Sequence, residues 1–440
     1  MFRELTFPGF VRLSRASRNA SRRNTDRGRL IQAGALVCAA LGVDMDLTLI
    51  YKLFTLLFCI IVASRFTLLL GKPRVSVKRH LPRYATANEP FTYRIEVSNT
   101  GDRVERDLTL ADNPTVIPPT IEQFRRRREP GEESRNAYDR WLGFHRFVWL
   151  QRLNTGIQVT PSVAAEIPLK SRRSVEMEAA PLRRGVVHFD AISVQHPDPF
   201  GLNYGITNFA APDQLLVLPQ RYPVPARFET QGGRHFQPGG FNASWSIGES
   251  DEFVSLRDYR DGDSMRKIHW PSTARRTKPV VKEHQDEYFV RQALVLDTCT
   301  EVDEILEAAV SVAASFAVAM NRPDSMLDLV YLSTKPEIVT AGHGATSLGH
   351  QMEALAGLQR TPLSPSDLSD AVLAWSPRLS SCVVVLTDWC EIRREMIAKL
   401  TRRATPVEVL LIGQPADFEA LPTRVKLIRP GHLAEDLASL

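Results

Sequence analysis

Gln292-Ala-Leu-Val-Leu-Asp297 decides the reading of the C-terminal third: an apolar run too short for a helix ends in an acid and leads straight into the alanine-rich stretch Val302 to Met320. A short apolar run of this kind reads as a strand buried on both faces, and the long alanine-rich run as a helix packed closely upon it. Working outward, Met326 to Leu332 is a second strand, and helical stretches follow at Leu348 to Leu358 and Leu368 to Trp375. The pure strand Cys382-Val-Val-Val-Leu386, the helix Glu391 to Arg403 and the strand Val407 to Ile412 complete the series. Strand alternating with helix predicts a doubly wound parallel α/β domain over 291–440, whose ligands gather at the carboxyl ends of the strands. Asp297 and Asp388 fall at two such ends.

Upstream, residues 248–290 hold the densest concentration of charge and aromatics in the chain. Between Glu249 and Glu287 eight basic residues meet nine acidic ones. Phosphate affinity depends on uncompensated cations, so this balance speaks against a nucleic-acid strip and for internal pairing or a protein partner. Arginines beside Tyr259 and Trp270 suit carboxylate forks and stacking. His269, next to Trp270, has no nucleophile in its neighbourhood of the sequence, and reads as a packed, hydrogen-bonded histidine rather than a general base. Residues 226–247, with Gly-Gly and Pro-Gly-Gly, read as a linker. No Gly-x-x-x-x-Gly-Lys-Ser/Thr occurs, so nucleotide hydrolysis lacks its usual signature.

Over 75–225 the period shortens to two. Phe91-Thr-Tyr-Arg-Ile-Glu-Val97 and Val186 to Val194 alternate apolar and polar residues, which predicts an antiparallel β-sandwich-like domain. Within it, 124–147 carries Arg125 to Arg128 and then Tyr138, Trp141 and Phe144, and its interleaved acids make it an exposed loop insertion with an aromatic foot on the sandwich. His196-Pro-Asp-Pro-Phe-Gly-Leu202 reads as a rigid structural elbow.

The N-terminal 70 residues differ again. Residues 1–29 hold eight arginines against Glu4 and Asp26 and read as a basic flexible arm. Leu30 to Val43 is an uncharged apolar run, Asp44-Met45-Asp46 interrupts it, and Leu47 to Leu70 is apolar except for Lys52 and Arg65. Two transmembrane helices over 30–70 are expected; a signal peptide would not bring the second run, and a buried soluble hairpin would be shorter and more amphipathic. Basic residues on both flanks place both ends in the cytoplasm. Five cysteines without a Cys-x-x-Cys pair fit a reducing compartment. The net charge of +5 is small against 55 basic and 50 acidic residues spread through the chain, and only the N-terminus is one-sided, so overall charge gives little support to a polyanion binder.

Glu252-Phe253, Leu256-Arg257, Tyr259, Gly262-Asp263, Arg266, Ile268-His269-Trp270, Ala274-Arg275 and Val281-Lys282-Glu283, with Arg184-Gly185 and Asp198-Pro-Phe-Gly201 upstream, resemble the bacterial family known as domain of unknown function 58. What the resemblance implies is a membrane-tethered protein of the bacterial inner membrane, often encoded beside a MoxR-type AAA+ ATPase, with a von Willebrand factor A-like C-terminal domain and no known reaction. Domains of that kind hold a divalent cation at the strand ends through Asp-x-Ser-x-Ser, a later threonine and a later aspartate. Here the matching stretch is Asp297-Thr-Cys-Thr-Glu301, with Asp388 as the late aspartate and Thr361 as the candidate threonine, so Cys299 and Glu301 stand in the two serine places. A thiol is a poor ligand for Mg²⁺, and the expectation is a degenerate metal site on Asp297, Glu301, Thr361 and Asp388, the alternative being capped strand ends. Arg257, Tyr259, Asp263, Arg266, His269, Trp270 and Arg275 are expected to face a partner or shape the fold. The resulting expectation is a non-enzymatic adaptor for the ATPase. A thiol enzyme around Cys299, or a binder of anionic lipid or nucleic acid through the arginine-rich segments, are the other classes.

Overall fold

Alternation of period two builds the first half of the protein. In the computed structural model Phe91–Asn99 forms β3, with every second residue from Tyr93 onward buried. The structure describes residues 7, 9–14, 16–17, 23–41, 48–225, 253–260, 265, 268–275, 278–284, 290–322, 325–341, 345–361, 364–403, 405–418 and 421–440. They divide into two compact units, Met1–Gln220 with Leu355–Leu358, and Arg221–Ala354 with Gln359–Leu440.

The first unit begins with helices α1 (Asp26–Leu41) and α2 (Thr48–Leu70), which pack against each other. Only α2 is long and apolar enough among the described residues to cross a bilayer, over Leu49–Leu68. At 16 residues α1 falls short of the roughly 20 that a span requires, and the Asp44-Met45-Asp46 turn lies outside the described residues.

Nine strands follow: β1 (Val75–His80), β2 (Tyr84–Thr86), β3, β4 (Thr109–Pro114), β5 (Ile157–Thr160), β6 (Ser162–Val163), β7 (Arg172–Pro181), β8 (Gly185–Pro197) and β9 (Tyr204–Leu218). They form a four-stranded sheet in the order β1-β3-β7-β5 and a five-stranded sheet in the order β2-β9-β8-β4-β6. All neighbours are antiparallel except β2 and β9. Ile95, Val97 and Met177 from one sheet and Leu110, Ile192 and Leu215 from the other join one core. A buried ion pair crosses it: Arg79 donates from Nε to Asp112 Oδ2 at 2.7 Å, where the Tyr93 hydroxyl also donates, at 2.7 Å. The arginine lies over the Phe189 ring, so both its charge and its planar face are used.

Between β4 and β5 the chain is helical where an exposed loop insertion was expected: α3 (Ile121–Arg126), α4 (Ala137–Leu142) and α5 (Phe144–Thr155). Thr120 and Gln123 form a capping box on α3, and Asn136 caps α4. Phe124, Phe147 and Leu150 bury themselves here together with Phe10, while Arg146 pairs with Glu132 in the interior. Phe10 comes from the basic arm, whose residues 9–14 are helical. The arm expected to be flexible therefore contributes an aromatic to a core, because burying a phenylalanine outweighs the exposed arginines around it.

The elbow at His196 seats the arm's end. Asp198 Oδ1 accepts from the backbone N–H of Leu202 and of Asn203, folding the loop back on itself. Thr25 donates its hydroxyl to Gly201 O and its N–H to Leu202 O. A Cβ on Gly28 would stand 2.0 Å from the Leu202 carbonyl oxygen, so this approach requires glycine.

The second unit opens with the pair β10 (Phe253–Asp258) and β11 (Val280–His284), antiparallel, with one turn of helix α6 (Trp270–Thr273) between them. A six-stranded sheet follows, built from β12 (Val290–Leu296), β13 (Ser325–Leu332), β14 (Pro336–Ala341), β15 (Ser381–Leu386), β16 (Val407–Ile412) and β17 (Val425–Ile428). Its order is β14-β13-β12-β15-β16-β17, parallel throughout except for the antiparallel edge β14. Helices α7 (Asp303–Met320), α8 (Ala345–Gly357), α9 (Pro365–Trp375), α10 (Glu391–Arg402) and α11 (Leu433–Ala438) complete it. Alanines 308, 309, 313, 314 and 317 let α7 bury nearly its whole circumference. Mid-sheet, Asp328 is fully buried and balanced by Arg291 (2.6 Å), Thr340 (2.6 Å) and the Trp375 indole (2.8 Å).

Candidate functional site

The chain reverses its strand sequence at β12, which puts the carboxyl ends of β12 and β15 side by side and makes that edge the place where a ligand would be expected. Asp297, one residue past β12, is fully buried, and both its oxygens are engaged. Oδ1 accepts from the Cys299 N–H at 2.9 Å. Oδ2 accepts from the Thr387 N–H at 3.2 Å, the Thr387 hydroxyl at 2.9 Å and Arg393 Nε at 2.6 Å.

Arg393 comes from the first turns of α10, on the same face as Met396 and Leu400, the other buried residues of that helix. It reaches under the strand ends rather than out to solvent. Its Nη1 donates to Asp388 Oδ2 at 3.1 Å and to Cys390 Sγ at 3.2 Å, and its Nη2 to the Cys299 carbonyl at 2.9 Å and Thr387 Oγ1 at 3.5 Å. Five N–H donors meet five acceptors. Burial by itself would lower the arginine's pKa, but the Asp297 carboxylate more than reverses that and holds it above its ordinary value.

Of the expected metal ligands, the structure brings Asp297 and Asp388 to one guanidinium. Thr361 sits close by, its hydroxyl donating to Ser333 O at 2.6 Å and its N–H to Thr298 O at 3.4 Å. Glu301 is exposed, and its carbonyl accepts from Arg360 at 3.4 Å. These residues do not fit an Mg²⁺ site: a guanidinium already lies between the two carboxylates, and a second cation there would be repelled at short range. Among the described residues no group of three or more His, Cys, Asp or Glu is arranged to hold a metal ion. The Cys299 thiol is pushed up to about 12, first by burial and then by the Asp297 charge, which leaves it protonated and a weak nucleophile.

The signature residues form the β10–β11 hairpin and its crossing segment. Arg257 lies opposite Val281, and the Tyr259 N–H donates to Pro279 O at 2.9 Å. His269 is tied down from three sides: its N–H donates to Val280 O at 2.8 Å, its carbonyl accepts from Thr273, and its Nδ1 is 2.7 Å from Ser272 Oγ. Its role in this arrangement is to turn the chain. Trp270 is 66% exposed and Met265 75%, a pair of large apolar groups facing water, with Arg275 exposed nearby in sequence. Asp263 and Arg266 lie outside the described residues.

Arg393 and Thr387 were not singled out from the sequence. The available signal is positional: an arginine three residues before Met396 and seven before Leu400, on the apolar stripe of a helix that follows a strand ending in an acid.

The comparisons with known proteins address the same region. A family model described as "Protein of unknown function DUF58" matches residues 255–427. An uncharacterized protein YeaD of Bacillus subtilis (strain 168) is 28% identical over 189 residues, 42% of this chain and 46% of that protein. The chain thus spans a little under half the length of the curated relative it matches. Among solved structures, an ASH/PapD-like domain of human CEP192 is 11% identical, with 34% of this chain and 89% of that one covered, at a TM-score of 0.17. A GH20 exo-β-N-acetylglucosaminidase from Vibrio harveyi is 7% identical, with 82% and 78% covered, at a TM-score of 0.15. Neither likeness bears on fold or activity at such scores. The match over 255–427 spans the signature hairpin and the strand ends alike, and this part of the chain is similar to the DUF58 family of proteins of unknown function.

Proposed function

We propose that this protein is a non-enzymatic, membrane-tethered adaptor whose second unit is von Willebrand factor A-like and binds a MoxR-type AAA+ ATPase in the assembly or remodelling of envelope complexes. The observation that carries the reading is the saturated strand-end cluster. Where an enzyme of this architecture would keep polar groups free for a substrate, Asp297 and Arg393 spend theirs on each other and on Thr387, Cys299, Asp388 and Cys390. The strand order, with one antiparallel edge on an otherwise parallel sheet, supports the von Willebrand factor A-like assignment. Helix α2 supports tethering, and two helices from one inner membrane face, with both units in the cytoplasm, is the arrangement proposed. Exposed Trp270 and Met265 supply the kind of apolar anchor that dominates protein contacts. A protonated thiol at Cys299 disfavours the thiol-enzyme alternative.

Affinity purification of the tagged chain from native membranes in mild detergent, with Mg²⁺ and ATP, tests this. Recovery of an AAA+ ATPase that is lost with Trp270→Ala and Arg257→Ala supports the adaptor. Turnover abolished by Cys299→Ser in an otherwise folded protein, or recovery unaffected by both hairpin variants, sinks it.

A further inference from the structure

We propose that Arg393 is a built-in replacement for a divalent cation: the strand-end site of the wild-type chain works without metal, and deleting this one side chain opens a metal site. The inference does not depend on which partner the domain binds.

The argument begins from charge. A fully buried carboxylate has to be compensated, and in an oxygen-lined pocket at strand ends two kinds of group can do so, a hard metal ion or a basic side chain. Here one guanidinium contacts carboxylates from the ends of β12 and β15 at 2.6 Å and 3.1 Å, the bridging role of an ion. It is itself almost wholly buried. Its remaining donors go to the Cys299 carbonyl and the Thr387 hydroxyl, both neutral oxygens of the kind Mg²⁺ or Ca²⁺ accepts. The acceptors that Arg393 gathers, Asp297 Oδ2, Asp388 Oδ2, Thr387 Oγ1 and Cys299 O, are therefore a hard-oxygen ligand set with an organic cation inside it. Cys390 Sγ is the one soft member, and it contacts only Nη1. Occupancy by guanidinium and by metal is mutually exclusive, since both would need the same two carboxylates.

Two variants separate the possibilities. In the full-length chain in detergent, Arg393→Ala leaves four oxygens and two negative charges around a space that water and an ion can enter. Tb³⁺ luminescence, sensitised by Trp389 beside Asp388, and thermal unfolding with Mg²⁺ or EDTA are the readouts. The wild type is expected to show no saturable Tb³⁺ signal and a midpoint indifferent to Mg²⁺ and EDTA. Arg393→Ala should gain a saturable signal, roughly tenfold over wild type, and a midpoint raised by Mg²⁺, both lost in Arg393→Ala/Asp297→Ala. If Arg393→Ala folds only when Mg²⁺ is present, that is the same result in a stronger form. The proposal is overturned if EDTA lowers the wild-type midpoint and Mg²⁺ restores it, or if Arg393→Ala, with or without Mg²⁺, shows neither binding nor rescue.

Discussion

Replacing Asp297 by alanine should cost more than any other single change at the strand ends. The substitution removes the acceptor of four donors at once: the Cys299 N–H, the Thr387 N–H and hydroxyl, and Arg393 Nε. The arginine stays charged, because nothing in reach can take its proton, and it stays covered, because it lies under the strand ends. Breaking a buried ion pair from one side destabilises by about 3–5 kcal/mol, and the orphaned backbone donors push towards the upper end of that range. For a domain of this size that corresponds to a fall in Tm of roughly 6–20 °C. Asp297→Asn should behave almost as badly, since its amide can still accept from Cys299 but turns a donor towards Arg393. The double variant Asp297→Leu/Arg393→Met, which replaces the pair by apolar groups of similar bulk, should recover most of the loss. Urea midpoints measured by pulse proteolysis on the full chain decide the matter. A loss below about 1 kcal/mol for Asp297→Ala, or a double variant no better than the sum of its parts, would refute the reasoning and mean that Arg393 swings out past the exposed Asp388 into water.

Two further expectations concern other parts of the chain. Gly28→Ala forces a Cβ against the Leu202 carbonyl at 2.0 Å, so α1 must lift away from the elbow; faster proteolysis between residues 24 and 34, absent in Gly34→Ala, where the nearest atom is 4.0 Å away, is the measurement. Burial pushes the Cys382 thiol from 9.0 to about 12, so the native state holds a proton that the unfolded chain releases first. The stability this contributes is complete below pH 9 and is lost as pH rises from there through about 12, at up to about 1.4 kcal/mol per pH unit. Alkaline unfolding of Cys382→Val should be correspondingly shallower, and identical slopes would count against it.

The parallel sheet was legible because a strand covered on both faces is mostly apolar, a buried acid such as Asp328 standing only where partners balance it. Cys382 to Leu386 and Leu294 to Leu296 have no polar face to confuse the reading, and the structure buries every one of them. The edges were harder to read. Pro336–Ala341 exposes alternate residues and Val425–Ile428 is four residues long, so neither stood out from loop. The helices of the insertion escaped for a different reason. Their run of arginines and acids reads as solvated chain, whereas what organises them is local capping by Thr120 and Asn136 and a handful of aromatics, one of which arrives from Phe10, more than a hundred residues away in sequence.

The site shows where the limit of such reading lies. Asp297 and Asp388 could be found because acids at strand ends have positional meaning, yet the residue that decides what those acids do belongs to a helix whose charges look like an ordinary exposed surface. Of the basic residues in Glu391–Arg402, Arg394 and Lys399 pair with Glu391 and Glu395 at the surface, and Arg393 alone shares the buried face with Met396 and Leu400. The apolar stripe of α10 is therefore interrupted by a charge, and such an interruption is tolerated only where a counter-charge waits inside. Reading it that way turns the two acids from metal ligands in want of serines into the fixed partners of one arginine. It also explains why Cys299 and Glu301 can stand where the metal-binding pattern has serines: with the guanidinium in place the cluster uses the Cys299 carbonyl, which any residue supplies, and the exposed Glu301 side chain is not needed as a ligand.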